Sequence, residues 1–126
     1  MRLLLLASVG GAIGAGARYL VSVGFMRWWA VEFPWATLTV NVVGCLLMGM
    51  LIGVFLRHWP DASGIRIFLS TGILGGFTTF SAFAMEFVAL IERNEPLPAV
   101  MYAACTVGFS IAACVFGLWF ARVVFV

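Results

Sequence analysis

Four apolar stretches, each long enough to cross a bilayer as a helix, fill nearly all of this 126-residue chain, at about 3–25, 36–56, 65–91 and 98–121. A hydrocarbon core of roughly 30 Å takes about 20 helical residues to span. Backbone polar groups in lipid must be satisfied within the protein, so only helices or a closed barrel are admissible. The apolar runs are too long and too little alternating for barrel strands. The reading is an all-α integral membrane protein of one four-helix domain, 1–126, with no separate water-soluble part. Composition agrees, at 64% hydrophobic and 10% charged residues, against about 45–50% and 25% in soluble domains.

The connections carry the expected punctuation: Arg27, Glu32 and Pro34, then Arg57, Pro60, Asp61 and Gly64, then Glu92 to Pro98. Trp28, Trp29, Trp35, Trp59 and Trp119 fall near segment ends, where an amphipathic ring suits the headgroup region. The first segment has a rival reading as a secretory signal peptide, with Arg2, Leu3 to Leu6 and a small-residue triplet at Ala15-Gly16-Ala17. Apolar character continues past that triplet, and Ala7, Gly10, Gly14 and Ala17 form one helical stripe suited to close packing, so a retained helix explains more. Gly49 and Gly53, and Gly72 and Gly76, repeat the same spacing.

All seven basic residues are arginines, and they are scattered singly, so nothing resembles a nucleic-acid-binding patch. Arg2, Arg57, Arg66 and Arg122 fall on one side of the membrane and Arg27 and Arg93 on the other, a weak orientation bias. Cys45, Cys105 and Cys114 lie inside apolar runs without metal-ligand spacing and read as buried free thiols. His58 reads as an interfacial side chain. There is no phosphate-binding loop, no lysine, and no nucleophile with a base partner, which argues against an enzyme. Four helices enclose little interior, so a homo-oligomer is expected of any permeation path.

Polar groups deep in hydrocarbon are costly and point to function. Thr37, Thr39 and Asn41 precede Gly44 in the second segment, either as interhelical glue or as ligand donors. Tyr102, Thr106 and Ser110 recur every four residues in the fourth, on one face. They can line a wet path or bond back to their own helix. At the centre of the third segment, Gly75-Gly76-Phe77-Thr78-Thr79-Phe80-Ser81 predicts a helix broken near its middle. Its loose carbonyls and N–H groups can make an ion site, or the run is a packing kink. Phe80 and Phe83 share a face there and present positive ring edges, although such a pair is ordinary in a chain with twelve phenylalanines.

The run from Gly75 to Phe83 resembles the third-helix signature of the CrcB, or Fluc, family of small fluoride channels. Two further runs agree in order and spacing: Gly10-Gly11-Ala12-Ile13-Gly14-Ala15-Gly16-Ala17-Arg18-Tyr19 is similar to the family's glycine-rich first helix, and Thr37 to Gly44 to its asparagine motif. Ala82 and Ala84 depart from the threonine and serine frequent at those places. The resemblance covers essentially the whole chain. It implies an antiparallel, dual-topology homodimer in the bacterial inner membrane, with two fluoride pores and a structural sodium ion at the helix breaks. In that picture Asn41 donates to fluoride and the edges of Phe80 and Phe83 line the path. Ser81, Glu86, Tyr102, Thr106 and Ser110 continue it, and Arg18 concentrates anions at a vestibule. The carbonyls of Gly75 and Thr78 hold the sodium. Two rivals remain: a proton-coupled small multidrug exporter, for which Glu86 is the only carboxylate well inside a segment, and a non-transporting assembly subunit.

Overall fold

The structure is a computed structural model that describes residues 1–29, 32–58 and 61–125, with every side chain among them except that of Arg57. Trp59 and Pro60, assigned above to an interfacial connection, lie outside the described residues. All regular structure among those described is helical: α1 (Arg2–Trp28), α2 (Trp35–His58), α3 (63–77), α4 (Phe80–Glu92) and α5 (Pro96–Val124). Within α3, α-helical turns at Ser63–Ile67 and Gly75–Phe77 flank a π-helical stretch at Phe68–Leu74.

These elements make four runs long and apolar enough to cross a membrane, Arg2–Trp28, Trp35–Leu56, Ser63–Glu92 and Pro96–Val124. Their lengths of 22 to 30 residues exceed the roughly 20 required, so the ends reach the polar interface. The chain is thus a multi-pass membrane protein. In the third run the backbone leaves helical geometry for two residues: Thr78 (φ −79°, ψ 155°) and Thr79 (φ −151°, ψ 121°) are extended. Helix resumes at Phe80 because Thr79 caps it, its Oγ1 accepting from the Ala82 N–H at 3.2 Å.

Packing is organised as two helix pairs, α1 on α3 and α2 on α5. Bare glycine faces set the approach in both. A methyl group on Gly14 would strike the Ile73 carbonyl oxygen, and one on Gly49 would strike that of Cys114. Such contacts replace hydrophobic burial as the cohesive force between helices in lipid. Both pairs run parallel: Gly10 meets Gly72 and Gly14 meets Phe77, while Gly49 meets Cys114 and Gly53 meets Ala121.

α4 and α5 are joined by a tight turn in which Asn94 has φ 60°, the only described non-glycine residue with positive φ. Its N–H reaches the Ile91 carbonyl, and the Glu95 N–H reaches that of Leu90, both at 3.0 Å, which closes the end of α4. The turn returns the chain so that Leu90, Ala99 and Tyr102 form a small core with Phe33, Leu38, Phe83 and Phe87. Near the opposite end, His58 Nε2 hydrogen-bonds with the Phe125 carbonyl at 2.6 Å. Outside these contacts most large apolar side chains point outward, as a lipid-facing surface requires.

Candidate functional site

The extended pair Thr78–Thr79 meets α2 at Asn41. The Asn41 amide makes a two-point clasp with Thr79: its Nδ2 donates to the Thr79 carbonyl at 3.0 Å and its Oδ1 accepts from the Thr79 N–H at 2.7 Å. An asparagine matches a backbone peptide in this way because both present one donor and one acceptor side by side. Both residues are buried. Thr78 turns its Oγ1 back onto the Leu74 carbonyl at 3.0 Å, and its methyl group rests against Gly44, where no Cβ fits.

These bonds divert donors from their helical acceptors. The Thr79 N–H, which would close a helical bond to Gly75, goes to Asn41, and the Ala82 N–H, which would reach Thr78, goes to Thr79 Oγ1. The carbonyls of Gly75 and Thr78 thereby lose these two helical donors near the middle of the third run.

Beside this point lies a cavity of about 290 Å³ lined by Asn41 and Cys45 of α2, Thr78 and Thr79, Phe80 and Phe83 of α4, and Thr106, Val107, Ser110 and Ile111 of α5. Thr106 is 4% exposed, yet its hydroxyl has no hydrogen-bond partner, and the same holds for the buried Ser110 hydroxyl. Two hydroxyl donors are therefore unspent on the cavity wall. Phe80, 77% exposed, meets Phe83 at a centroid distance of 5.4 Å, and Phe83 meets Tyr102 at 5.3 Å, so the three rings form a continuous aromatic row.

Tyr102 is fully buried and donates to Glu86 Oε2 at 2.6 Å, while Thr37 donates to Glu86 Oε1 at 2.8 Å. Glu86 also lines a second cavity, of about 260 Å³, with Ser22, Glu32, Phe33, Trp35 and Thr37 among its walls. Asn41, Phe80, Phe83, Thr106 and Ser110 thus meet at the first cavity, Glu86 reaches the second, and Tyr102 stands between the two groups. Ser81 lies outside the first wall and contacts Thr79 through its hydroxyl at 3.3 Å. Arg18 lines neither cavity; its Nε is buried without a partner on α1, and the nearest link is Ser22, one turn on, which donates to the Arg18 carbonyl at 3.2 Å.

The sequence alone does not give the pairings of Thr37 and Thr79 or the place of Cys45. Thr79 is the partner of Asn41, Thr37 is a second donor to Glu86, and Cys45 lines the first cavity, not a closed core. A signal existed on α2, where Thr37, Asn41 and Cys45 recur every four residues, matching Tyr102, Thr106 and Ser110 on α5. The facing stripes pair in parallel: Thr37 with Tyr102 at Glu86, and Asn41 with Thr106 and Cys45 with Ser110 around the cavity. Among the described residues no group of three or more His, Cys, Asp or Glu side chains is placed to hold a metal.

A curated protein of Mesorhizobium japonicum, named fluoride-specific ion channel FluC, is 46% identical over 119 residues, covering 94% of this chain and 95% of that one. A protein of the same name from Nitrobacter winogradskyi is 44% identical over 121 residues, 96% of each chain, and one from Sphingopyxis alaskensis 46% over 110 residues, 87% of each. Residues 5–118 match the family model described as CrcB-like protein, camphor resistance. With identity at this level along nearly the whole length, and a family model matched over residues 5–118, the chain belongs to the CrcB family.

Proposed function

We propose that the chain is a fluoride-selective channel, giving passive efflux of fluoride across the bacterial inner membrane, and not an enzyme. The observation that carries this reading is the cavity beside Thr78–Thr79, whose wall offers unspent hydroxyls from Thr106 and Ser110, the Asn41 amide and the aromatic edges of Phe80 and Phe83. Fluoride is small and strongly hydrated, so its passage requires donors that replace water without trapping the ion. Hydroxyls, one amide and ring edges meet that need, and no cationic side chain lines the cavity to bind the anion too tightly. The names of the relatives support the same substrate.

In this reading the path continues past Ser81 and Tyr102 to Glu86 and the second cavity, and Arg18 draws anions toward it from α1. Two copies pair antiparallel, which suits the weak arginine bias, and each dimer contains two pores. The two extended residues act as a break that frees backbone oxygens, and a sodium ion fits the carbonyls of Gly75 and Thr78, since both have lost their helical donors. A hard cation favours such oxygen ligands. Bound there, sodium would supply positive charge at mid-membrane and fasten the two copies; one chain offers only two of the oxygens, so the second copy completes the set.

The test is fluoride release from liposomes holding the purified protein, followed with a fluoride electrode beside chloride release and the Phe80→Ile variant. Fast, fluoride-selective release that falls at least tenfold in the variant is expected. Absence of release from folded, dimeric protein would overturn the reading. The exporter alternative requires Glu86 to exchange protons, whereas both of its oxygens are engaged by Thr37 and Tyr102. Proton-driven drug exchange abolished by Glu86→Gln would establish that alternative instead.

A further inference from the structure

Because α1 and α3 run parallel, both begin at the same end of the molecule, and there a cavity of about 350 Å³ opens between them. That volume lies within the roughly 300–1,000 Å³ of small-ligand sites. On both sides of it charge comes first and apolar side chains follow: Arg2 precedes Leu3 and Leu6 on α1, and Asp61 precedes Ile65 and Phe68 on α3. Among the described residues, neither the Arg2 guanidinium nor the Asp61 carboxylate has a side-chain partner, so a cation and an anion border one space uncommitted to each other. Gly64 brings the start of α3 against α1, since a Cβ added there would stand 3.4 Å from Leu6 Cδ1. Leu3 and Ile65 are exposed, so the apolar part of the wall runs out into the lipid-facing surface.

We propose that this cavity binds one phospholipid whose headgroup carries both a phosphate and a primary amine, a phosphatidylethanolamine. Its phosphate pairs with Arg2, its ammonium with Asp61, and the first part of an acyl chain follows Leu3, Leu6, Ile65 and Phe68. A guanidinium presents paired N–H donors that match phosphate oxygens. A primary ammonium brings three N–H donors to a carboxylate, and the trimethylammonium of phosphatidylcholine brings none. An anionic headgroup such as phosphatidylglycerol satisfies Arg2 and leaves Asp61 without a cation. Basic pockets at a membrane surface favour anionic lipids; the carboxylate turns this one toward a lipid bearing both signs. The order of groups along the two helices, charge outermost and apolar side chains deeper, is the order along a phospholipid. No residue of this wall belongs to either cavity of the anion path, so the proposal does not depend on the fluoride reading.

The probes are dioleoyl phosphatidylethanolamine, the phosphatidylcholine and phosphatidylglycerol with the same acyl chains, and water-soluble O-phosphoethanolamine. Delipidated protein in detergent is mixed with equal amounts of the three lipids, and the lipid retained per chain is read by native mass spectrometry. The thermal midpoint is measured with each lipid alone. Expected is one phosphatidylethanolamine per chain, retained about fivefold over either other lipid, with the highest midpoint in its presence. Asp61→Asn should bring its retention down to that of phosphatidylcholine, and Arg2→Gln should lower retention of phosphatidylethanolamine and phosphatidylglycerol together. Gly64→Phe, which keeps both charges and sets a ring against Leu6, should abolish retention. Excess O-phosphoethanolamine should leave the lipid in place. Equal retention of phosphatidylethanolamine and phosphatidylcholine by wild type, or a preference for phosphatidylglycerol, would overturn the proposal without recourse to any variant. A preference unchanged in Asp61→Asn would remove the carboxylate from the site, and displacement by O-phosphoethanolamine would assign the cavity to a free headgroup-like solute in place of a lipid.

Discussion

At the scale of single residues, the most consequential bonds join backbone irregularity to side-chain amide. Asn41 satisfies both the N–H and the carbonyl of buried Thr79, so Asn41→Leu strands two buried backbone groups as well as losing the amide. An unsatisfied buried group costs about 1–3 kcal/mol. Tyr102→Phe removes one bond and leaves Glu86 still engaged by Thr37; polar contacts between membrane helices average about 0.6 kcal/mol and reach about 1.7. Equilibrium unfolding in mixed detergent should therefore show Asn41→Leu destabilised by about 2 kcal/mol or more and Tyr102→Phe by about 1 kcal/mol. Equal losses would refute the two-point clasp. The candidate residues themselves stood out in the sequence because amides, hydroxyls and a carboxylate are rare at membrane depth. Their pairings did not. Thr79 acts largely through its peptide group, which no residue letter reports, and the bond of Thr37 to Glu86 joins residues on different helices.

Among the elements, the helical segments were legible because each must be apolar for about 20 residues, a demand composition cannot hide. The observed helices run slightly past the expected limits: α5 starts at Pro96, where a proline suits the first turn, and α1 continues to Trp28. The glycine stripes announced close packing, but not which helix each would face, since small-residue spacing encodes a distance and no address. The structure assigns Gly10, Gly14, Gly72 and Gly76 to the α1–α3 contact, and Gly49, Gly53 and Gly117 to α2–α5. A direct consequence is testable. Gly14→Val drives a side chain into the Ile73 carbonyl, whereas Gly16 has nothing within reach of an added Cβ. Overpacking costs about 1–3 kcal/mol, so Gly14→Val should lower the thermal midpoint in detergent or leave no monodisperse protein, with Gly16→Val close to wild type. Comparable behaviour of the two variants would contradict the packing.

For the molecule as a whole, the outward-facing apolar surface makes lipid the solvent and leaves the cavity wall shared between few elements. If sodium fastens two copies at Gly75 and Thr78, replacing it with N-methylglucamine should reduce the dimer fraction on size exclusion and lower fluoride release together, with sodium restoring both. An unchanged dimer and unchanged release would remove sodium from the design.

The pairing of α2 with α5 also bears on how the protein is made. Segments emerge from the ribosome in chain order, and α2 emerges early while its glycine-faced partner emerges last. Until then the bare face around Gly49 and Gly53 has no protein neighbour from α5 to meet it. Nascent chains stalled in the connection at 93–95 would consequently hold α1 against α3 yet keep α2 fastened only through such contacts as Asn41 with Thr79 and Thr37 with Glu86, its glycine face still bare, a species open to membrane proteases and to insertion chaperones. Synthesis of the last helix is the step that turns a set of inserted segments into a protein.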